Sequence, residues 1–225
     1  MPARNRLDVY WLPLGAGGSV VRWNGRLYER VRAWRQGVAP CDLYHAALEV
    51  VVEGERYVIE MAPVWNERSQ ERGVRVQGPV GLRVLGMLPL FRYEVRCWRD
   101  GVIPDRDEAV DSPVTVSESP QTVAEVLTLV SRCPAYVWGR DALGCGDMWN
   151  SNSLVAWLLT RTLPDVAATL SPPTHGRAPG GRAASSWHVA SGARRRGRAE
   201  GSHADARSRL TAPARADFPH SPSFS

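Results

Sequence analysis

The chain has no lysine. All 28 of its strongly basic side chains are arginine, set against 23 acids. The first 170 residues carry 19 arginines and 20 acids, a net of −1, and the last 55 carry 9 and 3, a net of +6. The formal charge of +5 therefore belongs to the C-terminal end, which excludes a main domain built as a basic grip for nucleic acid. Histidine is nearly absent as well. His45 is the one histidine of the first 170 residues, which excludes a multi-histidine zinc centre there. The four cysteines, Cys41, Cys97, Cys133 and Cys145, form no C-x-x-C pair. In a chain of 225 residues they do not read as a disulfide framework. Neither a Walker A motif nor a G-x-G-x-x-G fingerprint occurs, and the Gly15–Gly18 turn reads as an ordinary glycine-rich loop. The longest apolar stretch, Val84 to Phe91, is broken by Gly86 and Pro89. It is far short of the ~20 residues that cross a bilayer. With no apolar signal core behind Arg4 and Arg6, the expected location is the cytoplasm.

What is present divides at about residue 170. Strands are expected at Leu7–Leu12, Leu43–Val52, Arg56–Met61, Gly73–Val80 and Arg92–Trp98, with a short surface helix over Tyr28–Arg35 and a loop from Asp100 to Ser112. Ser119-Pro120 opens a helix with a serine cap and a proline at its first position. Val123, Val126, Leu127 and Val130 then form one apolar stripe that ends at Cys133-Pro134. A second helix begins at Asn150-Ser-Asn-Ser153 and runs into Leu154–Leu159, which has no polar residue and is expected to be buried. The fold class expected for residues 1–170 is α+β, an antiparallel sheet packed on a buried helix. Residues 171–225, rich in alanine, arginine, serine, glycine and proline, cannot bury enough surface to offset ordering entropy and are expected to be disordered. Three readings of this tail stay open on composition alone: inert disorder, out-of-frame translation from about Gly181, and an arginine-rich arm for an anionic surface.

Glu53-Gly54 is the turn of a hairpin, so opposed residues sum to 107: Leu48 faces Ile59, Val50 faces Tyr57 and Ala46 faces Met61. That face is wholly apolar. The other carries His45, Ala47 and Glu49 beside Val58 and Glu60. Glu60 lies diagonal to His45 over a small alanine, within reach for a hydrogen bond that leaves the second ring nitrogen as a general base. Glu49 and Glu60 also read as a solvated sheet face. The tryptophans near the second helix, Trp138, Trp149 and Trp157, read first as core and cleft wall.

The order of these pieces resembles one family. Asp8-Val-Tyr-Trp-Leu12 comes first, then Tyr44-His-Ala-Ala-Leu-Glu-Val50, then Glu55-Arg-Tyr57, and much later Trp149-Asn-Ser-Asn-Ser-Leu154. This is similar to the PPPDE group of permuted papain-fold peptidases, and more loosely to permuted NlpC/P60 and lecithin–retinol acyltransferase-like proteins. The resemblance implies a permuted papain-like fold with His45 at the catalytic histidine. The family's nucleophilic cysteine is replaced by Ser151. It implies acyl transfer from an amide, thioester or ester through an acyl-enzyme at Ser151, with His45 as base and Glu60 orienting it, while Trp149 and Asn150 contact substrate. The alternative is a catalytically inactive papain-like fold that binds a peptide or partner, with Ser151 only a helix cap. Cys145 sits in the loop before the helix, the wrong place for that nucleophile, and Asp147 is a candidate to cap or orient the same loop. No metal and no cofactor are expected. The partner expected is a peptide, protein or acyl substrate, without a membrane span, and nucleic acid only through the arginine-rich tail.

Overall fold

The computed structural model describes residues 4–14, 41–64, 73–103, 105–144 and 146–181. The helix expected at Tyr28–Arg35, the Gly15–Gly18 turn, Cys145 and the chain beyond 181 lie outside the described residues.

Seven strands form one sheet: β1 (Arg6–Pro13), β2 (Asp42–Val52), β3 (Glu55–Pro63), β4 (Val74–Pro79), β5 (Arg92–Arg99), β6 (Val114–Ser117) and the short β7 (Gly176–Arg177). The order is β4-β5-β3-β2-β1-β6, with β7 beside β2. All pairings along this path are antiparallel; β7 runs parallel to β2. Among the described residues, the helices α1 (Pro120–Leu129), α2 (Ser151–Thr162) and α3 (Pro164–Thr169) follow β6. The chain is thus α+β with a largely antiparallel sheet, and the five expected strands are all present. β6, β7 and α3 were not legible from periodicity. The first two are too short to show alternation, and α3 is a six-residue helix started by Pro164.

The β2–β3 hairpin has the expected register, with Leu48 opposite Ile59 and Val50 opposite Tyr57. Glu53 and Gly54 both have positive φ, 51° and 85°, as a two-residue turn matched to strand twist demands. The ladder runs from Val52–Glu55 only as far as Leu48–Ile59, so the expected Ala46–Met61 pair is not part of it. Beyond Leu48, β2 keeps β1 on one side, through Pro13 opposite Tyr44, and on the other takes β7 at Asp42 and Leu43. The sheet is therefore split between β2 and β3 at the N-terminal half of β2.

Each face of the sheet has its own core. On one lie Trp11, Tyr44, Ala46, Leu48, Val50, Ile59, Tyr93 and Val95, covered by α1 through Val123 and Val126 and by α2 through Leu154, Trp157, Leu158 and Leu159. The apolar stripe of α1 is the one its spacing predicts. Ser119 caps it, accepting a hydrogen bond from the Thr122 N–H at 3.4 Å. The other face carries a smaller apolar cluster of Tyr10, Leu12, Ala47, Val58 and Ile103.

The packed chain does not stop at residue 170. Besides the β7 pairing, the Gly180 N–H donates to Asp147 Oδ1 at 2.8 Å, and the carbonyls of Pro179 and Gly180 accept from side chains at the start of α2. Residues 171–181 thus belong to the folded body, which extends past the boundary read from composition. Among the described residues no helix is long and apolar enough to cross a membrane.

Candidate functional site

The start of α2 is built by its own sequence. Asn150 Oδ1 accepts from the Ser153 N–H at 3.1 Å, and Ser153 Oγ accepts from the Asn150 N–H at 3.1 Å. This reciprocal pair satisfies two of the donors that a helix start leaves open. Asn150 Nδ2 donates to the Pro179 carbonyl at 2.7 Å. Gly180 closes over this arrangement with φ of +92°, and a Cβ there would collide with Asn150 Oδ1 and Ser153 Oγ. The next residue anchors the helix to the split in the sheet. Asn152 Nδ2 donates to the Tyr44 carbonyl at 3.0 Å and to the Pro179 carbonyl at 2.8 Å. The Leu43 carbonyl bonds to Leu14 in the β1 direction. Strand carbonyls alternate, so that of Tyr44 points to the edge where β3 has left. Asn152 fills the position that a ladder partner has vacated. Its Oδ1 is buried with no hydrogen-bond partner among the described residues.

Ser151 is therefore the first residue of a well-capped helix, 6% exposed, and its hydroxyl bonds to no described residue. No hydrogen bond joins Ser151 to His45, although their neighbours Asn152 and Tyr44 are bonded to each other. His45 is paired with Leu12 and its neighbour Ala47 with Tyr10. Opposed residues share a face, so the imidazole projects with Leu12, Tyr10 and Ala47, away from the face that α2 covers through Ala46 and Leu48. No hydrogen bond joins His45 to a described residue. Burial pushes its pKa down to about 4, which leaves the ring neutral at pH 7.

Glu60 does not orient His45. It lies directly across from Arg96 in the β3–β5 ladder, and Arg96 Nη1 binds its Oε1 at 3.3 Å. Arg96 Nε meets Glu94 Oε2 at 3.0 Å, and Gln77 Nε2 donates to Glu94 Oε1 at 3.3 Å. Glu60, Glu94 and Arg96 are all buried, so this is an internal ion-pair chain and not a solvated sheet face. A second cluster sits on the same face. Arg106 Nη1 at 3.0 Å, Arg56 Nη1 at 3.3 Å and Arg6 Nη2 at 3.4 Å surround the carboxylate of Glu49, while Asp8 takes Arg6 and the Thr115 hydroxyl. Arg106 also donates to the Tyr10 hydroxyl at 2.5 Å and lies over its ring. Burial, followed by the Glu49 charge, raises the Tyr10 pKa. Sequence reading missed this network. Its signal was the alternation of Asp8, Glu49, Glu60, Glu94 and Arg96 with apolar neighbours on four adjacent strands.

The expected substrate contacts are also structural. Trp149 is 1% exposed, and its indole N–H donates to the Tyr93 hydroxyl at 3.2 Å. Tyr93 in turn donates to the Tyr136 carbonyl at 2.7 Å. Every polar atom of the Asn150 amide is used in the cap and in the Pro179 contact. Asp147 does hold the loop before α2, accepting from Met148 and Gly180. Burial raises the pKa of the Cys97 thiol and pushes that of Cys133 up to about 12. Among the described residues no group of three or more histidine, cysteine, aspartate and glutamate side chains is placed to hold a metal.

A cleft of about 830 Å³ lies elsewhere, between β4, the turn at Arg83–Met87 and the segment 135–142. Gln77, Pro79, Arg83, Met87, Arg92, Tyr136 and Val137 are among its walls, and His45, Glu60 and Ser151 are not. Compared with known proteins, the chain matches no family model, no curated protein and no solved structure.

Proposed function

We propose that this chain is a non-catalytic binding module that retains a permuted papain-like order of elements. It takes a peptide segment of a partner in the cleft between β4 and residues 135–142. The observation that carries this reading is the face of the sheet from which His45 projects. A hydroxyl nucleophile starts weakly acidic and needs a base within about 3 Å to take its proton. The imidazole projects from the face of β2 opposite to the one on which α2 packs, no hydrogen bond joins it to Ser151, and Glu60 is held by Arg96. The capping box and the two Asn152 bonds supply a structural reason for the Asn-Ser-Asn-Ser run that needs no chemistry. The cleft offers what an extended peptide needs. Its volume is in the range of small-ligand sites, with Tyr136 and Met87 for an apolar side chain and Arg83 for a carboxylate.

The test is labelling with a fluorophosphonate probe from mildly acidic to basic pH, comparing the native chain with Ser151→Ala and His45→Ala. The expected result is no labelling of any of the three. Labelling of the native chain that is lost in both variants would establish acyl-transfer chemistry at Ser151 and overturn the reading.

A further inference from the structure

Between β4 and β5 the chain leaves the edge of the sheet in two 3-10 turns, Arg83–Met87 and Pro89–Phe91. Large apolar side chains project from this tip instead of packing. Leu82, Val84, Met87, Leu88 and Leu90 are 46%, 68%, 79%, 53% and 63% exposed. Such a density of protruding apolar groups marks an interaction surface. From Gly73 to Tyr93 there is no acidic residue, while Arg75, Arg83 and Arg92 are present. The tip also withdraws much of its own backbone from water. The N–H groups of Leu82, Leu85, Leu88 and Phe91 donate to carbonyls two or three residues back. Arg92 donates to the carbonyls of Gly86 and Met87, and Arg140 Nε to that of Gly81 at 2.7 Å. Tied polar backbone is what entry into an apolar medium requires.

Three occupants are distinguishable on these facts. A peptide in the neighbouring cleft covers Met87 but leaves Val84, Leu88 and Leu90 in water. A second copy of the chain brings the same positive charge to the contact. An anionic bilayer surface covers all five side chains and complements the arginines. We propose that the tip Leu82–Leu90 is a membrane-interface wedge. It seats its apolar side chains at the boundary of headgroups and acyl chains, with Arg83 and Arg140 toward lipid phosphates. The tip shares Arg83 and Met87 with the cleft, while Val84, Leu88 and Leu90 lie outside its walls; vesicle binding is read with no peptide present, so it does not depend on the binding reading above.

The experiment is co-sedimentation of the full chain with phosphatidylcholine vesicles, with and without about a quarter phosphatidylserine. The native chain is expected to sediment with the anionic vesicles and far less with the neutral ones. Val84→Asp/Met87→Asp is expected to weaken that binding by about tenfold or more, and Arg83→Glu by about fivefold. These residues are exposed, so the thermal midpoint is expected to stay unchanged, which separates lost binding from lost folding. The variants keep the arginine-rich C-terminal residues, so a difference belongs to the tip. Equal sedimentation of the native chain and the double aspartate variant would overturn the proposal by assigning binding to other arginines. So would no sedimentation at all. Concentration-dependent self-association that the double variant abolishes, without vesicle binding, would reassign the tip to a protein contact and overturn it too.

Discussion

His45 makes a direct prediction at the scale of one residue. Its folded pKa of about 4 lies below the ordinary value of 6.5. Between those values the unfolded chain binds the proton and the folded chain does not. Stability is therefore fully present above about pH 6.5 and declines as pH falls toward 4, by about 1–3 kcal/mol in all. Urea midpoints at pH 7 and pH 4.5 are expected to fall further for the native chain than for His45→Gln, whose acid loss comes only from other groups. Equal losses in the two chains would show that the imidazole is solvated. Asn152 makes a second prediction. Its amide satisfies two carbonyls at once, so Asn152→Ala is expected to cost about 2–4 kcal/mol in equilibrium unfolding. A cost below about 0.5 kcal/mol would mean that water serves the Tyr44 carbonyl equally well. The sequence made His45 visible as the one histidine of the body, and the hairpin register placed it with Glu49 and Glu60. It did not show which face the second helix would cover, because that depends on packing between elements over a hundred residues apart. Glu60 was misjudged for a related reason. Its partner, Arg96, comes from β5, and the β3–β5 register cannot be read from either strand alone.

At the scale of the element, α2 shows how one short run performs several tasks. Asn150, Ser153, Met148 and the 179–180 segment close the helix start, and Asn152 ties it to the split beside β2. Loss of the cap by Asn150→Ala is expected to cost about 1–2 kcal/mol. Gly180→Ala is expected to cost more than that, because it combines a collision with the cap and a left-handed backbone. Thermal or chemical unfolding orders the two variants, and a neutral Gly180→Ala would contradict the close approach. The capped start and buried character of α2 were legible in Asn150-Ser-Asn-Ser153 and the apolar run after it. So was the hairpin, because a two-residue turn fixes register locally. The divergence of β2 from β3 was not legible. Alternation continues unbroken through Tyr44–Val50, and the segments that bond to β2 at that edge, α2 and β7, come from distant chain.

At the scale of the molecule, composition set the C-terminal boundary too early. Residues 171–181 look like the polar tail that follows them, yet they supply β7 and the carbonyls that hold α2. A chain ending at Gly181 is expected to retain the cooperative unfolding of the full chain, and one ending at Leu170 to lose much of it. Circular dichroism melts distinguish the two, and identical melts would contradict the packing role of β7. The charged residues on the second face of the sheet follow the same lesson. In sequence they alternate as though facing water, while in the fold guanidinium groups from neighbouring strands and loops enclose Glu49 and Glu60. The account as a whole rests on His45 projecting from the face of β2 opposite to α2 with no bond to Ser151, and Ser151→Cys tests it most directly. A thiol at a helix start has some reactivity of its own, so the telling quantity is its dependence on the histidine. The alkylation rate at position 151, followed by mass spectrometry across pH, is predicted to be the same in Ser151→Cys and in Ser151→Cys with His45→Ala. A fast reaction at mildly acidic pH that disappears when His45 is removed would contradict the account and restore the catalytic pair.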